Sequence, residues 1–145
     1  MNQITTQYVT EGGACFEQYV ITDPVAKTAL TITPERGGMV TGFTLDGDEY
    51  IWTRRPNFSE CNRPRFGVPV LFPSCGNPDG GVHNFDGKAY PMETHGFADL
   101  CAWEVDSVGR DGVTLALEST PLTKFLYPFD FTLLLNYNLE GLSLI

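Results

Sequence analysis

Val113-Thr114-Leu115-Ala116-Leu117-Glu118 alternates side-chain character with a period of two. Successive side chains of a strand point to opposite faces, so this run reads as a half-buried strand. The same period runs through Ala29-Leu30-Thr31-Ile32-Thr33 and Phe129-Asp130-Phe131-Thr132-Leu133. These runs are short, rich in Thr, Val, Ile and aromatic residues, and bounded by Gly, Pro, Asn and Asp. Leu133 to Leu139 continues as a strand, Glu140-Gly141 reads as a turn, and Leu142-Ser143-Leu144-Ile145 as the start of another strand.

Between the runs lie Asp-Gly pairs, at Asp46-Gly47, Asp86-Gly87 and Asp111-Gly112. A two-residue hairpin needs positive φ at both central positions, which Asp tolerates and Gly adopts freely. The pattern predicts an antiparallel all-β domain, a β-sandwich or barrel. With 15 glycines and 10 prolines in 145 residues, little room is left for long helices. The length suits one domain with a core of its own, and 42% hydrophobic against 19% charged residues is a globular balance.

The net charge of −9 argues against nucleic acid and against an anionic membrane surface, both of which call for clustered Lys and Arg. No apolar stretch is long enough to span a bilayer, and the polar start, Met1 to Thr10, lacks the basic and apolar regions of a secretory signal. Cys15, Cys61, Cys75 and Cys101 are widely and irregularly spaced, which disfavours a zinc site. They read as free, buried thiols of a cytoplasmic protein.

One region departs from the acidic background. Residues 51–73 hold Arg54, Arg55, Arg63 and Arg65 against Glu60 alone. They lead into an irregular Pro-, Gly-, Asn- and Asp-rich loop at 73–81, the kind of segment that carries binding residues on a rigid scaffold. Of the two histidines, His83 and His95, neither has a second His at metal-ligand spacing. His95, next to Gly96 and Phe97 and ahead of Trp103, suits a small polar ligand, since imidazole exchanges protons near neutrality and aromatic rings stack on the C–H face of a sugar. A histidine at a strand end, bonded only to backbone, is the other reading of the same residues.

Taken in order, Arg65-Phe66-Gly67-Val68-Pro69-Val70-Leu71-Phe72-Pro73-Ser74-Cys75-Gly76-Asn77, Tyr90, His95-Gly96-Phe97-Ala98-Asp99 and Trp103-Glu104-Val105 resemble the aldose 1-epimerase (mutarotase) family, most of all its hexose-6-phosphate epimerase-like branch. Ala29 to Gly38, Gly47, Trp52, Tyr127 to Leu133 and Tyr137 extend the likeness over about residues 25–145. The resemblance implies a galactose-mutarotase-like supersandwich, of which residues 1–145 form a single β-sandwich domain equal to roughly the N-terminal half. It implies interconversion of the α and β anomers of an aldose, with no metal or other cofactor. A base serves the anomeric hydroxyl and an acid the ring oxygen; the ring opens, the aldehyde rotates and the transfers reverse.

Carried onto this chain, the resemblance makes His95 the catalytic residue, binding the sugar and stabilising the reacting oxygen. It places Arg65 and Asn77 on the binding face and makes Phe97 a wall of the site or a support beneath it, with Trp103 packed below. Asn77 and Asp99 stand where the phosphosugar branch carries arginines. An anion at 99 would repel a phosphate, so Arg65, Asn77, Phe97 and Asp99 are expected to meet a neutral monosaccharide or sugar-like molecule. The family's second histidine, its sugar-holding aspartate and its general-base glutamate belong to a later half that these residues do not match. A non-catalytic carbohydrate-binding or interaction module is therefore the alternative. An apolar run at the end of the chain predicts a homodimer paired through strands near residues 130–145.

Overall fold

The computed structural model describes residues 1–53, 63 and 65–145. Arg54, Arg55 and Cys61, weighed above, lie outside them. Strands β1 (Gln3–Glu11), β2 (Ala14–Asp23), β3 (Thr28–Thr33), β4 (Met39–Leu45) and β5 (Asp48–Glu49) form a five-stranded sheet in sequential order. A hairpin of β6 (Val82–Phe85) and β7 (Lys88–Pro91) follows. Strands β8 (Glu104–Val108), β9 (Gly112–Glu118), β10 (Thr132–Glu140) and β11 (Ser143–Leu144) form a second sheet, ordered β11-β10-β9-β8. Every named strand pair is antiparallel, so the all-β expectation holds.

The two sheets share one core. Ile21, Leu30, Ile32 and Val40 from the first meet Val113, Leu115, Leu117 and Leu139 from the second, with Ala98 and Trp103 between. The period-two runs supply these residues, since Leu30 and Ile32 alternate on β3 and Val113, Leu115 and Leu117 on β9. Burying each such side chain contributes roughly 1.5–3 kcal/mol. Tyr137 adds a polar tie, its hydroxyl donating to the Gly38 carbonyl at 2.7 Å. Among the described residues no helix is long and apolar enough to cross a membrane.

Two of the Asp-Gly pairs turn hairpins as expected. Asp46 and Gly47 close β4 onto β5, and Asp86 and Gly87 close β6 onto β7, all four with positive φ. The third also closes a hairpin, β8 onto β9, but through a different turn: residues 109–111 form the loop, the Gly109 N–H donates to the Gly112 carbonyl at 2.9 Å, and neither Asp111 nor Gly112 has a positive φ. Gly112 is the first residue of β9, where a Cβ would overlap Asn138 on β10, so this glycine permits close strand approach. Phe129 to Phe131 also depart from the expectation. They precede β10, and Phe131 packs its ring on Phe72 and Phe97. Cys15 and Cys75 are free but exposed, not buried. Cys101 is free and half-buried, its thiol donating to the Phe97 carbonyl at 3.3 Å.

Candidate functional site

The segment between the sheets builds its site largely from backbone. Phe72, whose peptide bond to Pro73 is cis, offers its carbonyl to the N–H groups of Phe97 at 2.8 Å and Ala98 at 3.2 Å. This seats the His95-Gly96 pair against the 72–77 loop. Both residues are left-handed, with φ of 71° and 76°. A Cβ at Gly96 would overlap the Phe72 carbonyl, so only glycine fits there. A non-glycine residue held left-handed, as His95 is, marks a position that its surroundings over-determine.

Those surroundings fix the imidazole. The His95 N–H donates to the Gly76 carbonyl at 2.8 Å, and the Gly76 N–H donates back to His95 Nδ1 at 2.9 Å. Because Nδ1 accepts, the neutral ring carries its proton on Nε2. His95 lines an open cleft of about 690 Å³, and Nε2 has no protein partner among the described residues.

Arg63, which lines the same cleft, is clamped. Its Nη1 donates to both carboxylate oxygens of Asp99 at 2.7 Å, and its Nη2 donates to the Gly96 carbonyl at 2.7 Å. Glu93 lies 3.6 Å from Nη2. The Asp99 side chain is only 1% exposed, and burial pushes its carboxyl above the ordinary carboxylate range against the opposing pull of Arg63. Asp99 therefore holds Arg63, which in turn holds the Gly96 carbonyl; it does not present a free anion to a ligand.

The remaining expected residues divide. Arg65 and Asn77 both line the cleft and are exposed. Asn77 accepts a hydrogen bond from the Thr94 hydroxyl. Pro69, Leu71 and Met92 supply apolar wall. Phe97 does not line the cleft: it is 6% exposed and packs its ring on Phe72 and Phe131 beneath the site. Trp103, 2% exposed, lies deeper, its indole N–H donating to the Ala98 carbonyl at 3.0 Å. Sequence reasoning did not single out Arg63 as a clamp, because its partners are 33 and 36 residues away and follow no periodicity. The available signal was the acidic pair Glu93 and Asp99 flanking the His-Gly pair, set against the basic run that holds Arg63 and Arg65.

Comparisons with known proteins identify the family and the fold. A family model described as aldose 1-epimerase matches residues 17–144. The chain is similar to the solved structure of the Slr1438 protein from Synechocystis sp. PCC 6803, with 32% identity and a TM-score of 0.83 over 99% of this chain and 50% of that one. It is also similar to a galactose mutarotase related enzyme from Lactobacillus acidophilus, with 25% identity and a TM-score of 0.72 over 86% of this chain and 39% of that one. A galactose mutarotase-like protein from Clostridium acetobutylicum, 20% identical, shares the fold at a TM-score of 0.76 over 97% of this chain and 47% of its own. None of the curated proteins matches. The chain thus spans about half the length of the first of these structures, or less of the others. From strand order to the loop that carries His95, and with one family model running across most of its length, the chain belongs to the aldose 1-epimerase family.

Proposed function

We propose that the His95 cleft binds a neutral monosaccharide, and that His95 donates a hydrogen bond from Nε2–H to the sugar oxygen that gains charge as the hemiacetal ring opens. The observation that carries this reading is the reciprocal pair between His95 and Gly76, which fixes the tautomer and leaves one donor facing the cleft. The neutrality of the ligand rests on balance: Arg63 and Arg65 stand against Glu93 and Asp99 in the lining. Arg65 and Asn77 are the exposed polar groups within reach of sugar hydroxyls.

Interconversion of anomers needs, besides this donor, a base for the anomeric hydroxyl. Asp99 is committed to Arg63, and Glu93 is the exposed carboxylate of the lining. Anomer exchange is accordingly proposed for the family site as a whole, with residues 1–145 as one β-sandwich unit, the N-terminal half of that site. Exchange NMR on fresh α-galactose and α-glucose tests both levels. The expected result is saturable movement of the His95 ring signals and of the Asn77 side-chain amide, which lines the same cleft, with the Asn77 movement weakened at least tenfold in His95→Asn. Binding without acceleration over the uncatalysed rate selects the carbohydrate-binding alternative, and no movement with any aldose overturns the sugar reading.

A further inference from the structure

A second depression lies on the five-stranded sheet, apart from the His95 cleft and sharing none of its lining residues. It encloses about 470 Å³, within the range of small-molecule sites. Its floor is a closed polar network. The buried Gln18 donates through Nε2 to the hydroxyls of Thr33 at 2.9 Å and Thr41 at 3.3 Å, and accepts from Gln7 Nε2 at 3.0 Å. With its own bonds satisfied, this floor holds its shape without a ligand.

Glu49 forms one wall, with Oε1 accepting from the N–H groups of Phe43 at 2.8 Å and Ile51 at 2.7 Å. Those bonds hold the carboxylate with Oε2 over Gly42, where an added Cβ would come within 3.0 Å of it and within 3.3 Å of Thr31. Any side chain at 42 would fill the cradle. The rim carries two aromatics that the core does not claim, Tyr50 at 63% exposure and Trp52 at 65%. Their backbone is anchored, since the Tyr50 N–H donates to the Phe43 carbonyl at 2.9 Å and the Trp52 carbonyl accepts from Gly67 at 3.0 Å.

A fixed carboxylate and a side-chain amide next to exposed aromatic faces match the two surfaces of a pyranose: hydroxyls around its edge and an apolar C–H face. The lining contains Glu49 and no Lys or Arg, which disfavours phosphorylated and acidic sugars. We propose that this groove is a second, non-catalytic carbohydrate site, taking a neutral pyranose-containing saccharide stacked on Trp52 and hydrogen-bonded to Gln7 and Glu49. The proposal stands independently of the ligand assigned to the His95 cleft.

The chain's two tryptophans make the test direct. Trp103 is buried with its indole N–H bonded, so its signal reports the fold, whereas the Trp52 indole reports the groove. The protein is titrated with glucose, galactose, mannose, maltose and cellobiose while both indole N–H peaks are followed by NMR. A saturable shift of Trp52 with Trp103 unmoved is expected for at least one sugar. It persists within twofold in His95→Asn, weakens at least tenfold in Gln7→Ala, and is replaced in Trp52→Ala by loss of the accompanying Gly42 amide shift. An unmoved Trp103 peak shows that each variant is folded. The proposal is overturned if no sugar moves Trp52, or if His95→Asn abolishes the movement. Failure of the His95 cleft to bind sugar would leave the Trp52 signal intact, so the two readings fail separately.

Discussion

The paired sheets and the loops that carry His95 solve the same problem by different means. In the sheets, position follows from side chains: Leu30, Ile32, Val113 and Leu115 fill a shared core, and the backbone obeys ordinary strand geometry. In the 72–99 region, position follows from the backbone itself. Carbonyls of Phe72, Gly76 and Gly96 hold N–H groups or a guanidinium, and two consecutive left-handed residues aim the imidazole. The sheets should therefore yield gradually to substitution, whereas the loops should fail abruptly wherever a carbonyl loses its place.

Gly96→Ala tests the abrupt end of that contrast. The methyl would overlap the Phe72 carbonyl at a positive φ, so neither a rotamer change nor a side-chain shift relieves it. A loss of about 4 kcal/mol or more is expected by denaturant unfolding, in the range reserved for strain at special backbone positions. A loss below about 1 kcal/mol, the ordinary value for a point substitution, would show that the loop relaxes as easily as the sheets do.

Arg63→Met comes next. It strands the buried Asp99 carboxylate, a change that costs about 3–5 kcal/mol when a buried pair is broken from one side. Its pH dependence has a definite sign. The folded Asp99 pKa is already raised by burial, so its contribution is complete below the unfolded value near 3.8 and is lost as pH rises through the folded one. Removing Arg63 raises the folded value further. The variant should therefore be least impaired in acid, and adding Asp99→Asn should restore part of the loss near neutrality. Equal impairment at acid and neutral pH would show that Arg63 acts through packing alone.

The same contrast explains what could be read from the sequence. Strand periodicity is local, and β3 and β9 could be read from it because each alternate residue reaches the core. Asp46-Gly47 and Asp86-Gly87 were legible because the turn is written in the two residues that make it. Asp111-Gly112 marked the β8–β9 hairpin but not its turn conformation, because Gly112 answers a non-local demand, close approach to Asn138. Phe129 to Phe131 alternate but are claimed by the aromatic cluster around Phe72, which no period reveals. In the cleft, the motif pointed to His95, Arg65 and Asn77. The roles of Arg63 and Asp99 depend on a contact across 36 residues, and the tautomer of His95 on a backbone N–H 19 residues away.

The gradual end of the contrast is tested at Tyr137, on β10 where the two sheets meet. Burial pushes its phenol up to about 12 from an ordinary 10.0. Tyr137→Phe removes the bond to Gly38 and keeps the ring, so a loss of about 1 kcal/mol is expected at neutral pH. In the native protein the raised folded pKa gives a contribution present in full below pH 10.0 and lost as pH rises through about 12. Two pKa units correspond to about 2.7 kcal/mol. The Phe variant has no such contribution to lose. Unfolding curves of the two proteins should therefore differ by about 1 kcal/mol near pH 8 and converge, then cross, between pH 10.0 and 12. Parallel curves through that window would mean that the tyrosine hydroxyl reaches solvent, and that the seam between the sheets is as open as the loops beside it.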